Sequence, residues 1–225
     1  MTIDEIKIKT LDVYRLCSIK SFPVSTVEIL KKLEIPYFSY SKLREKSEEL
    51  YQMGVKFSKD AFTWNRLVCY NDAMPLPRIH FSLMHELGHI FLHSSKETEA
   101  NYFASHILAP RIVLHQTDFQ DTQQLSQLFG ISKQAAEVVS SDYNKYYKGK
   151  SLSQLSPADQ ELYRYFYDKK LDFFVYHISE CPECGATIYN SLKNTCWRCS
   201  LSSSKEKKQD ASFYHLEQNW LYPEN

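Results

Sequence analysis

The stretch Ser82-Leu83-Met84-His85-Glu86-Leu87-Gly88-His89-Ile90-Phe91-Leu92-His93 holds two histidines four residues apart, with a glutamate directly after the first. Leu83, Leu87, Ile90 and Phe91 recur at helical spacing and Ser82 is a suitable N-cap, so the pattern predicts a helix from Ser82 to about His93. On that helix four residues make about one turn, which sets both imidazoles on one face. Neutral imidazole nitrogen is a good zinc ligand, and a catalytic zinc keeps one position for water, whose pKa it lowers to about 7. Glu86, beside the first histidine, is placed to take a proton from that water and return it to a leaving amine, which is the chemistry of peptide hydrolysis. His93 continues the series but lies about 12 Å along the axis from His85, too far to share an ion. It belongs at the helix C-terminus, where its charge suits the dipole. A motif this short also arises when histidines simply pair with carboxylates, so a third ligand is needed.

The next helix carries its apolar stripe on Ala100, Phe103, Ala104, Ile107 and Leu108 and ends at Pro110. Glu97 falls near that stripe and Glu99 well off it. A carboxylate facing inward wants a partner, which makes Glu97 the candidate. Ser94 and Glu97 also have capping-box spacing, and the acid could serve only a backbone donor.

Working outward, helices are expected at residues 5–18 and 25–33, a strand at 35–40, and a helix capped by Ser41 through about Tyr51. Strands at 61–64 and 67–70 flank a polar turn at Asn65 and Arg66, and a turn-rich stretch, 71–77, leads to the histidine helix. Downstream, helices at 122–129 and 132–146 are separated by Gly130 and Ile131. Ser156, Pro157 and Asp159 open another helix, read as running to about Phe173. The fold class is α+β: a mostly helical domain with a small sheet over residues 1–178, a small cysteine module at 179–200, and a linker with an aromatic tail at 201–225.

At 225 residues the chain has room for one main core and an appendage. Hydrophobic residues at 43% and aromatics at 14% supply that core and argue against disorder. The 27 basic and 27 acidic residues cancel, leaving no field to draw in nucleic acid or an anionic membrane. No apolar leader follows Met1 and no stretch approaches the roughly 20 apolar residues of a membrane span, so a soluble, cytoplasmic protein is expected.

Cys17 and Cys69 stand alone and read as small buried hydrophobes. Cys181, Cys184, Cys196 and Cys199 form two C-x-x-C pairs with eleven residues between them. In a chain without a secretion signal, that pairing points to metal. Four thiolates close a tetrahedral zinc site with no open position, and so small a module would draw most of its folding free energy from the ion. Redox chemistry is the alternative, but the surrounding βαβ pattern it would use is missing. Lys193, Arg198 and Lys205 to Lys208 are diluted by Glu183 and Glu206, and a protein partner suits the module as well as a nucleic acid.

Arg78, Phe81 and Ser82 leading into His85-Glu86-Leu87-Gly88-His89, then Glu97-Thr98-Glu99-Ala100-Asn101-Tyr102-Phe103-Ala104 and Leu108-Ala109-Pro110, resemble the ImmA/IrrE family of metallopeptidases. The resemblance spans most of the first 150 residues and implies a zincin-like domain. It implies one catalytic zinc on His85, His89 and Glu97, with Asn101, four residues after the ligand acid, supporting the site. Two departures stand out: His80 occupies a position where a basic residue is expected, and the link from His89 to Glu97 is short. The two cysteine pairs resemble a zinc ribbon holding a second, structural zinc. Members like this one inactivate a cytoplasmic transcriptional repressor serving a phage, a mobile element or a stress response, so a protein substrate is implied. Residues 124–136 resemble a helix-turn-helix within the segment 122–146. Lys133 there is offset by Glu137 and Asp142, which favours packing or substrate docking over DNA. The competing reading is a non-proteolytic regulatory protein that sequesters a repressor or contacts DNA through this segment and the ribbon. No spacing selects an oxyanion-stabilising group among His80, Tyr102 and His106.

Overall fold

In the computed structural model, which describes residues 1–117, 119 and 121–201, Thr2 opens the first helix with a reciprocal capping box: its hydroxyl accepts from the Glu5 amide while Glu5 takes the Thr2 amide proton. That helix, α1 (Ile3–Cys17), is followed by α2 (Thr26–Lys32), capped by Ser25, and by strand β1 (Tyr37–Ser39). The helix expected from Ser41 to Tyr51 is two helices. Ser39, not Ser41, caps α3 (Tyr40–Lys46), and Ser47 breaks the chain with an extended backbone and caps α4 (Glu48–Phe57). The Ser41 hydroxyl turns instead to Asp72.

Strands β2 (Ala61–Trp64) and β3 (Leu67–Tyr70) form the expected hairpin. Asn65 (φ 47°) and Arg66 (φ 65°) both take the left-handed conformation that a two-residue loop between twisted strands requires. β1 joins β3 in parallel, giving the order β1-β3-β2, so β2 is an edge strand.

Helix α5 (Leu76–Leu92) begins well before Ser82. Pro75 stands at its N-cap and Pro77 in its first turn, where a missing amide proton costs nothing, and Ser82 is buried in mid-helix. Helix α6 (Glu97–Leu108) and a short α7 (Arg111–Leu114) come next. Helix α8 (Thr122–Phe129) ends on Gly130 in the left-handed region (φ 63°), and Ser132 caps α9 (Lys133–Tyr146). Ser156 caps α10 (Pro157–Phe166). That helix stops at Phe166, not near Phe173, because β4 (Tyr167–Asp168) pairs antiparallel with β5 (Phe173–Phe174). The Asp168 carboxylate accepts from the Lys170 and Leu171 amides and turns the chain.

The chain divides into two compact units, Met1–Tyr176 and His177–Asn225. In the first, α5 lies beside α6, which packs on α1, and Leu83, Met84 and Leu87 share a buried core with Phe103, Ala104 and Ile107. Tyr14 crosses from α1 to donate its hydroxyl proton to Ile107 O at 2.8 Å, and its ring meets Phe22 and Phe166 edge-on. The second unit pairs β6 (Ile178–Glu180) with β7 (Thr187–Tyr189) over Cys181, Ile188 and Cys196. Apart from Leu201, the expected linker and aromatic tail lie outside the described residues.

Candidate metal centres

A cleft of about 500 Å³ opens over α5, lined by residues of β2, α5 and α6 that include Thr63, Arg78, His85, Glu86, His89 and Glu97. The Nε2 atoms of His85 and His89 are 3.1 Å apart. The Glu97 carboxylate faces both, with Oε2 at 3.1 Å from His85 Nε2 and Oε1 at 3.4 Å from His89 Nε2. A tetrahedron with metal–ligand bonds of about 2.0–2.1 Å has edges of roughly 3.3–3.4 Å, so the three donors are spaced as three corners around one zinc, with a fourth left open.

The outer imidazole nitrogens say which protons are where. His89 Nδ1 lies 2.7 Å from Ser94 O, and a carbonyl only accepts, so Nδ1 carries the proton and Nε2 its lone pair. His85 Nδ1 donates likewise to Asn101 Oδ1 at 3.0 Å. Two lone pairs and a carboxylate thus converge, a donor set that suits a divalent cation.

The short link achieves this by reversing the chain sharply. His93 takes a left-handed conformation (φ 49°) as the C-cap of α5, Ser94 N–H reaches back to His89 O, and Lys96 N–H donates to Ser94 Oγ. Glu97 is then the first residue of α6. Gly88 lets the two helices close: a Cβ there would stand 3.1 Å from Ala100 Cα and 3.2 Å from Phe103 Cδ1.

The burial expected of the two acids is reversed. The Glu97 side chain is 72% exposed, whereas Glu99, placed off the buried stripe from its spacing, is 7% exposed. Glu99 faces the Met1 amine and Lys96 Nζ. The hydrogen bond from that amine, then Ser94 and Lys96, hold its carboxyl down to about 2. Ser94 caps the Lys96 amide, which leaves the Glu97 carboxylate to the histidines.

Glu86 also lines the cleft, and its Oε2 accepts from Thr63 Oγ1 at 2.7 Å. Thr63 was not singled out in the sequence; its only trace there is a polar residue in the hairpin just before the histidine helix. Arg78 grips Asp60 with two hydrogen bonds, 3.1 and 2.6 Å, and holds the Asp60 carboxyl below the usual range. Tyr102, His106 and His80 do not line this cleft. His106 is buried, and burial, reinforced by Arg111 and Lys7, pushes its pKa well below the ordinary histidine value. Asp142 of α9 is engaged with Arg111 at 2.7 Å.

In the second unit the four sulfurs of Cys181, Cys184, Cys196 and Cys199 lie within 4.8 Å of one another. Cys184 and Cys196 Sγ are 3.6 Å apart, close to the roughly 3.8 Å edge of a tetrahedron with 2.3 Å zinc–sulfur bonds. The Cys196 amide donates to Cys181 Sγ at 3.4 Å and draws that thiol down to about 6. Gly185 (φ 71°) makes the tight turn that donates its amide to Cys181 O. All four cysteines are free of disulfides, and the set fits a zinc ribbon-like module.

Residues 43–140 match the peptidase M78 family model, described as an IrrE N-terminal-like domain. No curated protein and no solved structure matches the chain.

Proposed function

We propose that the chain, whose residues 43–140 match the IrrE N-terminal-like peptidase model, is a zinc-dependent endopeptidase acting on a cytoplasmic protein, a transcriptional repressor of a phage, mobile element or stress response. The observation that carries this reading is the convergence of His85 Nε2, His89 Nε2 and the Glu97 carboxylate beside Glu86 in an open cleft. Zinc held by those three residues would supply Lewis acidity, lowering the pKa of a water to about 7 and polarising the substrate carbonyl. Glu86 takes the proton of the attacking water and later delivers it to the leaving amine. Thr63 fixes the Glu86 carboxylate through one oxygen, which leaves the other for the proton. Asn101 and Ser94 hold the imidazoles in the tautomer that offers Nε2. Ala61, Phe62 and Thr63 of edge strand β2 line the cleft, and an extended peptide can pair with that strand's open side.

Arg198, beside Trp197, and the helix-turn-helix-like α8–α9 leave a binding role for the chain as the competing reading. Among the described residues no helix is long and apolar enough to cross a membrane. Two measurements separate peptidase from binding module. The purified protein is expected to hold two zinc ions and His89→Ala one. Glu86→Gln is expected to keep both ions while peptide cleavage falls by about 10²–10⁴-fold. Undiminished cleavage or repressor loss in Glu86→Gln would sink the proteolytic assignment.

A further inference from the structure

Behind the catalytic cleft lies a second cavity of about 430 Å³, and Phe81 and Asn101 form a wall common to both. Its size falls within the roughly 300–1,000 Å³ of ligand pockets. Its lining is predominantly apolar, from Tyr102 of α6 and from Ala135, Val138 and Val139 of α9. Two of these are large apolar side chains left open to solvent, Tyr102 at 43% and Val138 at 56%. Its two charged lining residues are paired with each other: Arg111 binds Asp142 at 2.7 Å and donates to the carbonyls of Ser105 and Ala109, with its Nε buried and without a partner. With the Arg111 and Asp142 charges paired and the rest of the lining predominantly apolar, an apolar group fits the cavity best. Asn101 places the cavity directly behind His85, because the same amide that lines it accepts from His85 Nδ1.

We propose that this cavity is the specificity pocket for a large apolar side chain (Leu, Ile, Met or Phe) that flanks the scissile bond of the peptide lying in the cleft. This rests on the peptidase reading, and it gives α9 of the helix-turn-helix-like segment a role in reading substrate sequence. The occupant follows from continuity: this apolar recess shares Phe81 and Asn101 with the cleft, so a chain extended past the histidine pair runs beside it, and Ala135 is small enough to leave room for a side chain.

The test compares the full-length, zinc-loaded protein with Ala135→Phe, which fills the pocket, on a proteome-derived peptide library read by mass spectrometry. The wild type is expected to show one subsite beside the scissile bond dominated by large apolar residues. Ala135→Phe should move that preference to small residues, with about a ten-fold or greater loss on Leu and Phe peptides. Cleavage with no apolar preference, or a preference unchanged by a folded Ala135→Phe, overturns the pocket and leaves the peptidase reading standing. Should Ala135→Phe fail to fold, Val138→Asp, on an exposed position, replaces it: a carboxylate in the apolar lining should cut cleavage of Leu and Phe peptides by about ten-fold without a gain for small residues, and an unchanged preference overturns the pocket. Independently of catalysis, N-acetyl-leucinamide titrated into methyl-labelled protein should shift the Val138 and Val139 signals. Shifts without any library cleavage would leave an apolar cavity with no scissile bond to serve and overturn the proposal together with the reading it rests on, as would the absence of both.

Discussion

Asn101 shows how a single amide governs a candidate metal ligand: with its oxygen taking the His85 Nδ1 proton, the ring offers Nε2 to an ion. Asn101→Ala removes that acceptor, and zinc affinity at the histidine site should fall by about 10–100-fold in chelator competition, with the ribbon zinc unaffected. An unchanged affinity would mean that the amide does not orient the ring. His106 gives the residue scale its pH dependence. Folded His106 stays neutral because burial, then Arg111 and Lys7, oppose its charge, whereas the unfolded chain protonates near 6.5. Below about pH 6.5 the unfolded state therefore binds more protons, and stability declines as pH falls. His106→Gln should lose less of its urea midpoint between pH 7 and 5 than the wild type; equal losses would refute the assignment. The choice between Glu97 and Glu99 marks the limit of sequence reading at this scale. Spacing favoured Glu97 for an inward position that it does not have. What commits it is the reversal at His93 to Lys96, and what withdraws Glu99 is a partner 98 positions away. Neither is visible in helical periodicity.

Elements were legible where local chemistry is self-sufficient, as in the Asn65–Arg66 hairpin and the break between two helices at Gly130 and Ile131. They were misread where a residue type has two uses. Pro75 and Pro77 punctuate loops but also suit a helix start, so α5 begins earlier than its serine suggested, and Ser47 both ends one helix and caps the next. Likewise Tyr167 and Asp168 continue an amphipathic pattern until their pairing with Phe173 and Phe174 turns them into a strand. The pairing that matters most for the site is α5 with α6, and Gly88 sets its spacing. Neighbouring backbone blocks a Cβ there, so Gly88→Val must push α6 away and carry Glu97 off the histidine pair. Overpacking of this kind costs about 1–3 kcal/mol. The variant should melt earlier and bind a single zinc, that of the cysteine cluster; two tightly held ions in a folded Gly88→Val would show that helix separation does not control the site.

Across the molecule the two units are stabilised by different means. Among the described residues the second has a core of Cys181, Ile188 and Cys196, so little apolar surface that a metal on its four cysteines would supply much of its folding free energy. The first closes on itself through a buried ion pair joining residues 152 positions apart, Lys7 of α1 and Asp159 of α10, with Nζ to Oδ2 at 2.8 Å. Tyr147 donates to Asp159 Oδ1 at 2.9 Å and Ser156 to Oδ2, so every oxygen of that carboxylate is engaged. Burial opposes the Lys7 charge, but Tyr147 and Asp159 outweigh it and hold the ammonium protonated. Removing one partner strands the other, and Asp159→Ala should lose about 3–5 kcal/mol in urea unfolding. Replacing both partners tests whether that loss belongs to the stranded charge or to the pair itself. If it belongs to the charge, Lys7→Met with Asp159→Leu should be more stable than Asp159→Ala alone, because no uncompensated ion remains in the core. If the double variant is as unstable as the sum of its single changes, the pair itself holds α1 to α10. Since α1 also packs on α6, the helix that carries Glu97, the same variants would then loosen zinc at the histidine site as well.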